Sequence, residues 1–216
     1  MPAPPGYAEL LKRKVRRAVS PHEPIDLIGH SMGGQVAALY AGLRPERIRK
    51  LVILDAMYLP DMPSEDAPMR LRQWLDDIHT PVQDRYYDNL DELARRTAKN
   101  HAGLDADGAT QVAAAWGGLE EDGRVRLLAD PRHRQRGPLL YRDAEARAVF
   151  KQVEAPTLLL DAENTNLKAI CPHEEREARI ACFKNAQRLT LENSGHMLHF
   201  DAPKRTAAVV QDFLDP

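Results

Sequence analysis

The feature that most limits the folds open to this chain is GHSMGG at residues 29–34, between an apolar run at 24–28 and small residues at 35–41. This order predicts a short buried strand, a sharp turn that carries Ser31, and a helix. Such a turn lifts the serine hydroxyl clear of the backbone and aims the first free amides of the helix at the same point. Glycine is needed on both sides because strand and helix approach too closely there for a Cβ atom. The pattern therefore indicates a reactive serine, with a structural serine in a glycine-rich loop as the alternative.

Composition and charge argue against several classes of protein. At 216 residues the chain fits one domain with an insertion. The net charge of −2 argues against nucleic-acid binding, and the lack of an apolar run of about 18 residues argues against a membrane span. The first residues lack the apolar core of a signal peptide, and Cys171 and Cys182 have neither metal-ligand spacing nor a disulfide pattern. We therefore expect a soluble, cytoplasmic protein with reduced cysteines, no metal, and no nucleic-acid or membrane partner.

Apolar runs alternate with helical patterns over much of the chain. The runs predicted as strands are residues 25–28, 51–54, 156–161 and 187–191. Continuous apolar strands separated by helices indicate an α/β fold, with a parallel sheet of about four strands covered by helices on both faces. Between residues 60 and 153 the pattern changes to helical spacing broken by turns, which predicts a helical insertion. The predicted organisation is a core of residues 1–59 and 154–216 with a cap at 60–153.

Three more helices are predicted outside the cap. Residues 7–19 have helical spacing, with lysines and arginines on the polar face. That face would suit an anionic partner, but a solvated helix face is the commoner explanation of such a charge run. A charged helix is predicted over 173–183, and a final helix begins near Pro203.

A serine hydroxyl needs a general base within hydrogen-bond reach and a carboxylate that orients the base. His196 is the strongest candidate base, because it lies in a glycine-containing loop directly after the last predicted strand. His30 adjoins Ser31, and neighbours at a turn point in different directions, so we expect it to be structural. The histidines expected to have structural or solvated roles also include His79, His101, His133, His173 and His199.

Three carboxylates are candidates for the acid that orients the base. Asp55 ends the second predicted strand, Asp161 ends the third, and Glu163 follows it. Catalytic groups collect at the carboxyl ends of parallel strands, although an aspartate there can also cap a turn. Position alone does not choose among the three.

These motifs resemble those of the α/β-hydrolase fold family. The sequence GHSMGG is similar to the family's nucleophile elbow, and NSGH at 193–196 is similar to its histidine loop. The order serine, acid, histidine along the chain is also that of the family. The segments DPRH at 130–133 and LYR at 140–142 resemble the serum hydrolase-like branch.

The resemblance implies roles for residues of this sequence. Ser31 would be the nucleophile, His196 the base, and the backbone amide of Met32 one oxyanion donor. The family's common acid position falls on Thr165, which has no carboxylate, and its other acid position falls on Asp55, which is therefore the predicted acid. The implied function is an esterase-like serine hydrolase that forms an acyl-enzyme with a small to medium carbonyl substrate and uses no cofactor.

The sequence departs from the family's pattern at its start. Members carry four strands ahead of the elbow and a His-Gly motif that donates the second oxyanion amide, and this sequence begins at the helix before the fifth strand. We therefore expect a truncated reading frame or a fragment with weak turnover, since losing one oxyanion donor costs about 10²–10³ in rate. The strand at 25–28 would be an unpaired apolar edge, which predicts a homo-oligomer. The alternative function is a non-catalytic homologue that binds a ligand, or an inactive fragment.

Overall fold

The computed structural model describes residues 23–101, 103–135 and 137–215. The helix predicted over 7–19, with its basic face, lies outside these residues. The described residues pack as two units: one contains the residues up to Asp61 and those from Tyr141 onward, and the other is Met62–Leu140. In the described part of the chain, no helix is both long enough and apolar enough to cross a bilayer.

Strands and helices alternate in the first unit, and the second unit combines helices with short strands. In chain order the strands are β1 (Ile25–His30), β2 (Ile48–Leu54), β3 (Tyr86–Tyr87), β4 (Gly117–Leu119), β5 (Val125–Leu127), β6 (Thr157–Ala162) and β7 (Ala186–Leu191). The α-helices are α1 (Met32–Leu43), α2 (Ala67–Asp77), α3 (Leu90–Asn100), α4 (Ala106–Trp116), α5 (Asp143–Phe150), α6 (His173–Ile180), α7 (Leu198–Asp201) and α8 (Pro203–Leu214).

The four strands predicted from the apolar runs form one parallel sheet in the order β1-β2-β6-β7. The central strands β2 and β6 are largely buried, because both of their faces carry apolar side chains against helices. β2 begins at Ile48, before the apolar run, since Arg49 and Lys50 interrupt the hydrophobic pattern but not the strand. The prediction of a parallel α/β sheet is confirmed.

Helices cover both faces of this sheet. Ile53 of β2 belongs to the core under α1 and α5, and its neighbour Val52 belongs to the core under α7 and α8. The helices α1 and α5 approach closely at Gly42, where a Cβ atom would lie 2.2 Å from the main-chain oxygen of Val149. The core therefore consists of two apolar layers, one on each side of the strands.

The second unit contains helices α2 to α4 and a small antiparallel sheet in the order β3-β5-β4. Leu93, Ala113 and Val125 form the centre of its core. The sequence analysis predicted helices here and no strands, and in that respect it was incomplete. Each of these strands has only two or three residues, which is too short to show alternation.

The unit boundaries differ from the expected insertion at 60–153, because α5 lies in the first unit. The main-chain N–H of Asp143, where α5 begins, donates to Asp61 Oδ1 at 2.8 Å. Arg179 of α6 is fully buried and donates to Asp143 Oδ1 at 2.5 Å, to the Met57 oxygen at 3.1 Å and to Glu175 Oε2 at 2.9 Å. Asp61 and Asp143, which lie next to the two unit boundaries, are therefore bonded to each other and to the rest of the first unit.

Candidate active site

Ser31 lies between β1 and α1 in a strained backbone conformation. Its φ is 53° and its ψ is −123°, and such a conformation costs about 1–3 kcal/mol for a residue other than glycine. The Ser31 N–H donates to the Leu54 oxygen of β2 at 3.0 Å, and the Ser31 oxygen accepts from the amides of Gly34 at 3.0 Å and Gln35 at 3.3 Å. The neighbouring strand and the first turn of α1 therefore hold the strained residue in place.

Two glycines allow strand and helix to approach each other at this turn. A Cβ atom at Gly29 would lie 2.3 Å from the Gly33 oxygen, and one at Gly34 would lie 2.7 Å from the Ala56 Cβ. Both distances are well below the ordinary contact distance of about 3.5–4 Å. A Cβ atom at Gly33 would meet nothing within 4 Å. The close approach on the helix side therefore falls at Gly34, one residue later than the G-x-S-x-G pattern indicates.

The loop between β7 and α7 carries His196 and is fixed by hydrogen bonds at both of its ends. Ser194 Oγ donates to the Leu191 oxygen, where β7 ends, at 2.7 Å. The N–H of Gly195 donates to Asp201 Oδ2, at the end of α7, at 2.7 Å. The backbone beside His196 is therefore tied to the strand before it and to the helix after it.

This loop brings His196 against two of the residues predicted from the sequence. His196 Nε2 lies 2.9 Å from Ser31 Oγ, and His196 Nδ1 lies 2.8 Å from Asp55 Oδ2. Because a carboxylate oxygen accepts, the ring proton lies on Nδ1 and Nε2 is left to accept the serine proton. That is the tautomer which a general base requires.

Asp55 is held directly after β2. It is fully buried and its φ is 41°. Its N–H donates to the Leu160 oxygen of β6 at 2.8 Å, and its Oδ1 accepts from the Ala162 N–H at 3.0 Å. With Oδ2 on His196, both carboxylate oxygens have donors, as a buried charged group requires.

The other two candidate acids have different partners. Asp161 Oδ1 accepts from Arg176 Nη2 at 2.5 Å, and its Oδ2 accepts from Arg188 Nε at 3.1 Å. Glu163 Oε2 accepts a main-chain N–H, at 2.8 Å, from the loop that carries His196. Of the three carboxylates, the structure brings only Asp55 to the imidazole ring.

Comparison with known protein families gives a match over nearly the whole sequence. A family model described as the alpha/beta hydrolase family matches residues 2–209. The chain belongs to the alpha/beta hydrolase family. The family and the fold class inferred from the sequence are therefore both confirmed.

Three proteins that resemble this alpha/beta hydrolase share about a quarter of its residues. A serine hydrolase-like protein of Danio rerio is 26% identical over 202 residues, which are 88% of this chain and 60% of that protein. The (E)-2-((N-methylformamido)methylene)succinate hydrolase of Acinetobacter baylyi is 23% identical over 201 residues, which are 89% of this chain and 65% of that protein. The solved structure of a hypothetical protein of Pseudomonas aeruginosa is 26% identical in sequence and has a TM-score of 0.76. The match covers 96% of this chain and 71% of that protein. The chain therefore spans less than two thirds of the curated relatives.

The alpha/beta hydrolase site includes a second histidine, which the sequence analysis expected to be structural. His30 Nε2 lies 2.8 Å from the main-chain oxygen of His196. The ring centroids of His30 and His199 lie 4.6 Å apart. Burial lowers the pKa of His30 below its ordinary value. Sequence reasoning missed the contact with His196 because it joins residues 166 positions apart.

The cysteines of this alpha/beta hydrolase are buried free thiols. Cys171 Sγ lies 3.0 Å from Arg179 Nη1, and Cys182 Sγ donates to the Ala178 oxygen at 3.3 Å. Among the residues that the structure describes, no group of three or more histidines, cysteines, aspartates or glutamates is placed to hold a metal ion.

Proposed function

We propose that the chain is a serine hydrolase in which Ser31 is the nucleophile, His196 the general base and Asp55 the acid that orients it. The observation that carries the proposal is the continuous chain of hydrogen bonds from Asp55 through His196 to Ser31, with distances of 2.8 and 2.9 Å. A serine hydroxyl is a weak nucleophile at neutral pH unless a base activates it. The strained turn at Ser31 adds support, because strain of this kind clusters at functional sites.

In the first half of the reaction, Ser31 Oγ attacks the carbonyl carbon of an ester while His196 Nε2 takes the hydroxyl proton. The negative charge moves to the carbonyl oxygen, and the Met32 amide, the first N–H of α1, is the proposed donor to it. The Asp55 carboxylate stabilises the imidazolium. The ester C–O bond breaks as His196 gives the proton to the leaving oxygen, which releases an alcohol and leaves an acyl group on Ser31.

In the second half, water replaces the alcohol. His196 Nε2 takes a proton from the water molecule while the water oxygen attacks the acyl carbon. When the second tetrahedral anion breaks down, Ser31 Oγ leaves and takes the proton back from His196. One ester and one water become one acid and one alcohol, and the cycle consumes no cofactor.

The proposed substrate class is an ester or related carbonyl compound of small to medium size. One curated relative is called a serine hydrolase-like protein and another is the hydrolase of a substituted methylenesuccinate. These names support hydrolysis without pointing to a common substrate. We also propose a cytoplasmic place of action, which the two free thiols, Cys171 and Cys182, support.

Pre-steady-state hydrolysis of p-nitrophenyl acetate tests the proposal. Excess ester is expected to give a burst of about one equivalent of nitrophenol per chain, because acyl-Ser31 accumulates before water removes it. Ser31→Ala and His196→Ala are expected to abolish the burst, and Ser64→Ala, in the second unit, is expected to keep it. A burst that survives Ser31→Ala would contradict the proposal. A folded chain with no burst would favour the non-catalytic alternative.

A further inference from the structure

His30 connects the turn that carries Ser31 to the loop that carries His196. Its Nε2 lies 2.8 Å from the main-chain oxygen of His196. A carbonyl oxygen can only accept, so His30 Nε2 carries a proton and donates it to this bond. The bond therefore runs from the residue next to the proposed nucleophile to the backbone of the proposed base.

Ring contacts hold the same two segments together. The ring centroids of His30 and His196 lie 4.7 Å apart with an interplanar angle of 37°. His199 also contacts His30, with its ring centroid 4.6 Å from that of His30 and an interplanar angle of 65°. The His30 imidazole thus contacts two residues of the segment after β7 and donates to the backbone of one of them.

The geometry indicates a supporting role for His30 and not proton transfer. Ser31 Oγ is already bonded to His196 Nε2 at 2.9 Å, whereas the His30 donor points at a backbone oxygen. Because His30 is the last residue of β1, its backbone is fixed by the sheet. The bond from His30 therefore ties the loop that carries His196 to β1, the strand that leads directly to Ser31.

We propose that His30 is a positioning residue, whose Nε2–H holds the His196 main chain so that the imidazole stays within reach of Ser31 Oγ. The kinetic part of this inference rests on the proposed function. Misplacing a reacting group by about 1 Å can cost about 100-fold in rate. Loss of the bond is therefore expected to slow attack by Ser31 more than it weakens substrate binding.

Two substitutions separate the donated bond from the shape of the ring. His30→Phe keeps an aromatic ring and loses the donor, and His30→Gln loses the ring and keeps an N–H donor. We expect His30→Phe to lower the rate constant for labelling of Ser31 by a fluorophosphonate by about 10–100-fold, and His30→Gln to recover most of that loss. The concentration of p-nitrophenyl acetate that half-saturates the burst rate constant, which reports binding before acylation, is expected to change by less than about threefold in both variants. His79→Phe, at an exposed histidine of the second unit, is the matched control and should react like the wild type.

Labelling of His30→Phe at the wild-type rate would overturn the proposal, and so would His30→Gln reacting as slowly as His30→Phe. A second readout is independent of catalysis. In protein with ¹⁵N-labelled histidine, the Nδ1–H signal of His196 reports its bond to Asp55. We expect this signal to shift or broaden in His30→Phe and to remain in His30→Gln.

The two readouts distinguish failure of this inference from failure of the proposed function. If the folded wild-type chain is not labelled at all, the proposed hydrolase function is wrong and the NMR comparison alone decides the role of His30. A changed His196 signal in His30→Phe alone would support positioning. Identical His196 signals in the wild type and both variants would overturn it.

Discussion

Strained backbone marks two of the three residues in the proposed triad. Ser31 and Asp55 have φ values of 53° and 41°, in the left-handed region that residues other than glycine seldom adopt. Each follows the last residue of a strand and donates its N–H to the next strand of the sheet, Ser31 to Leu54 and Asp55 to Leu160. The parallel sheet therefore supports both strained residues in the same way.

The strain at Ser31 can be measured by comparing two substitutions that both remove the hydroxyl and its bond to His196. Ser31→Gly should have a free energy of unfolding about 1 kcal/mol higher than Ser31→Ala, because glycine adopts this backbone freely and loses only part of the gain to unfolded-chain entropy. Urea denaturation measures the difference. Ser64→Gly, at a residue with negative φ, is the control and should lower stability or leave it unchanged. A Ser31→Gly protein that is less stable than Ser31→Ala would contradict the assignment of strain.

The identity of the acid can be tested by a matched pair of substitutions. Asp55→Asn should slow fluorophosphonate labelling of Ser31 by about 10³–10⁴-fold, because an amide leaves the His196 tautomer unset. Asp161→Asn weakens the pairing with Arg176 and Arg188 and should lower stability while the folded protein keeps its labelling rate. Near-normal labelling of Asp55→Asn together with its loss in Asp161→Asn would assign the acid to Asp161.

Acid pH is expected to destabilise the fold through His30. Burial lowers the pKa of His30 in the folded chain below its ordinary value of about 6.5. At a pH between the folded and the unfolded pKa, the unfolded chain therefore binds a proton that the folded chain does not. Its contribution to stability is complete above about pH 6.5 and is lost as the pH falls through the lowered pKa. The facing groups, His196, His199 and Asp55, are the same in His30→Gln. The free energy of unfolding should fall more steeply from about pH 7.5 to about pH 5 in the wild type than in His30→Gln; equal slopes would contradict this.

Among the structural elements, β2 and β6 are the strands that their own sequences predict most clearly. Each contains a buried run of aliphatic residues, 51–54 in β2 and 158–160 in β6, so it can be recognised without knowledge of its partners. The position of α5 depends on its close contact with α1 at Gly42 and Val149, which no periodic pattern displays. Strands β3 to β5 are too short to form a pattern. The sequence therefore missed the unit to which α5 belongs, which depends on contacts between distant segments, and the three strands that are too short to carry a pattern.

The choice among candidate acids also depended on distant segments. Asp55 and Asp161 occupy similar places at strand ends, and the sequence offers no local difference between them. The two aspartates differ in their hydrogen-bond partners. Arg176 of α6 and Arg188 of β7 donate to the Asp161 carboxylate, whereas His196 donates to that of Asp55. The serine turn was predictable from its own residues because its glycines are adjacent to it in sequence, whereas Asp55 was predicted as the acid only through the family resemblance.

The packing of the serine turn can be tested by two glycine substitutions. Gly29→Ala forces a methyl group against the Gly33 oxygen and should lower the free energy of unfolding by about 1–3 kcal/mol. Gly33→Ala has open space around its Cβ and lies in α1, so it should raise stability by about 0.5–1 kcal/mol. Chemical denaturation measures both. Equal effects of the two substitutions would contradict the close approach at Gly29.

For the molecule as a whole, the notable surface is the outer side of β1. Among the strands that the structure describes, β1 pairs only with β2. The side chain of Ile28 is 48% exposed. An edge strand presents N–H and C=O groups that can pair with another chain, and we propose that copies of this chain self-associate there.

Self-association through β1 predicts a mass that depends on protein concentration. Sedimentation equilibrium of the 216-residue chain should show the weight-average mass rising with concentration, and Ile28→Lys should reduce this rise because edge charges oppose strand pairing. Leu139→Lys, at a residue of the second unit that is 84% exposed, is the control and should behave like the wild type. A monomer at all concentrations, or an equal effect of both substitutions, would contradict self-association through β1.

The central claim, that His196 activates the Ser31 hydroxyl, is tested most directly by locating a fluorophosphonate adduct by mass spectrometry. The folded chain is incubated with the probe, digested and mapped. We expect one adduct on the peptide that contains Ser31, absent from Ser31→Ala and formed far more slowly in His196→Ala. An unmodified Ser31 in folded protein, or labelling of Ser31 at the same rate in His196→Ala, would contradict the account.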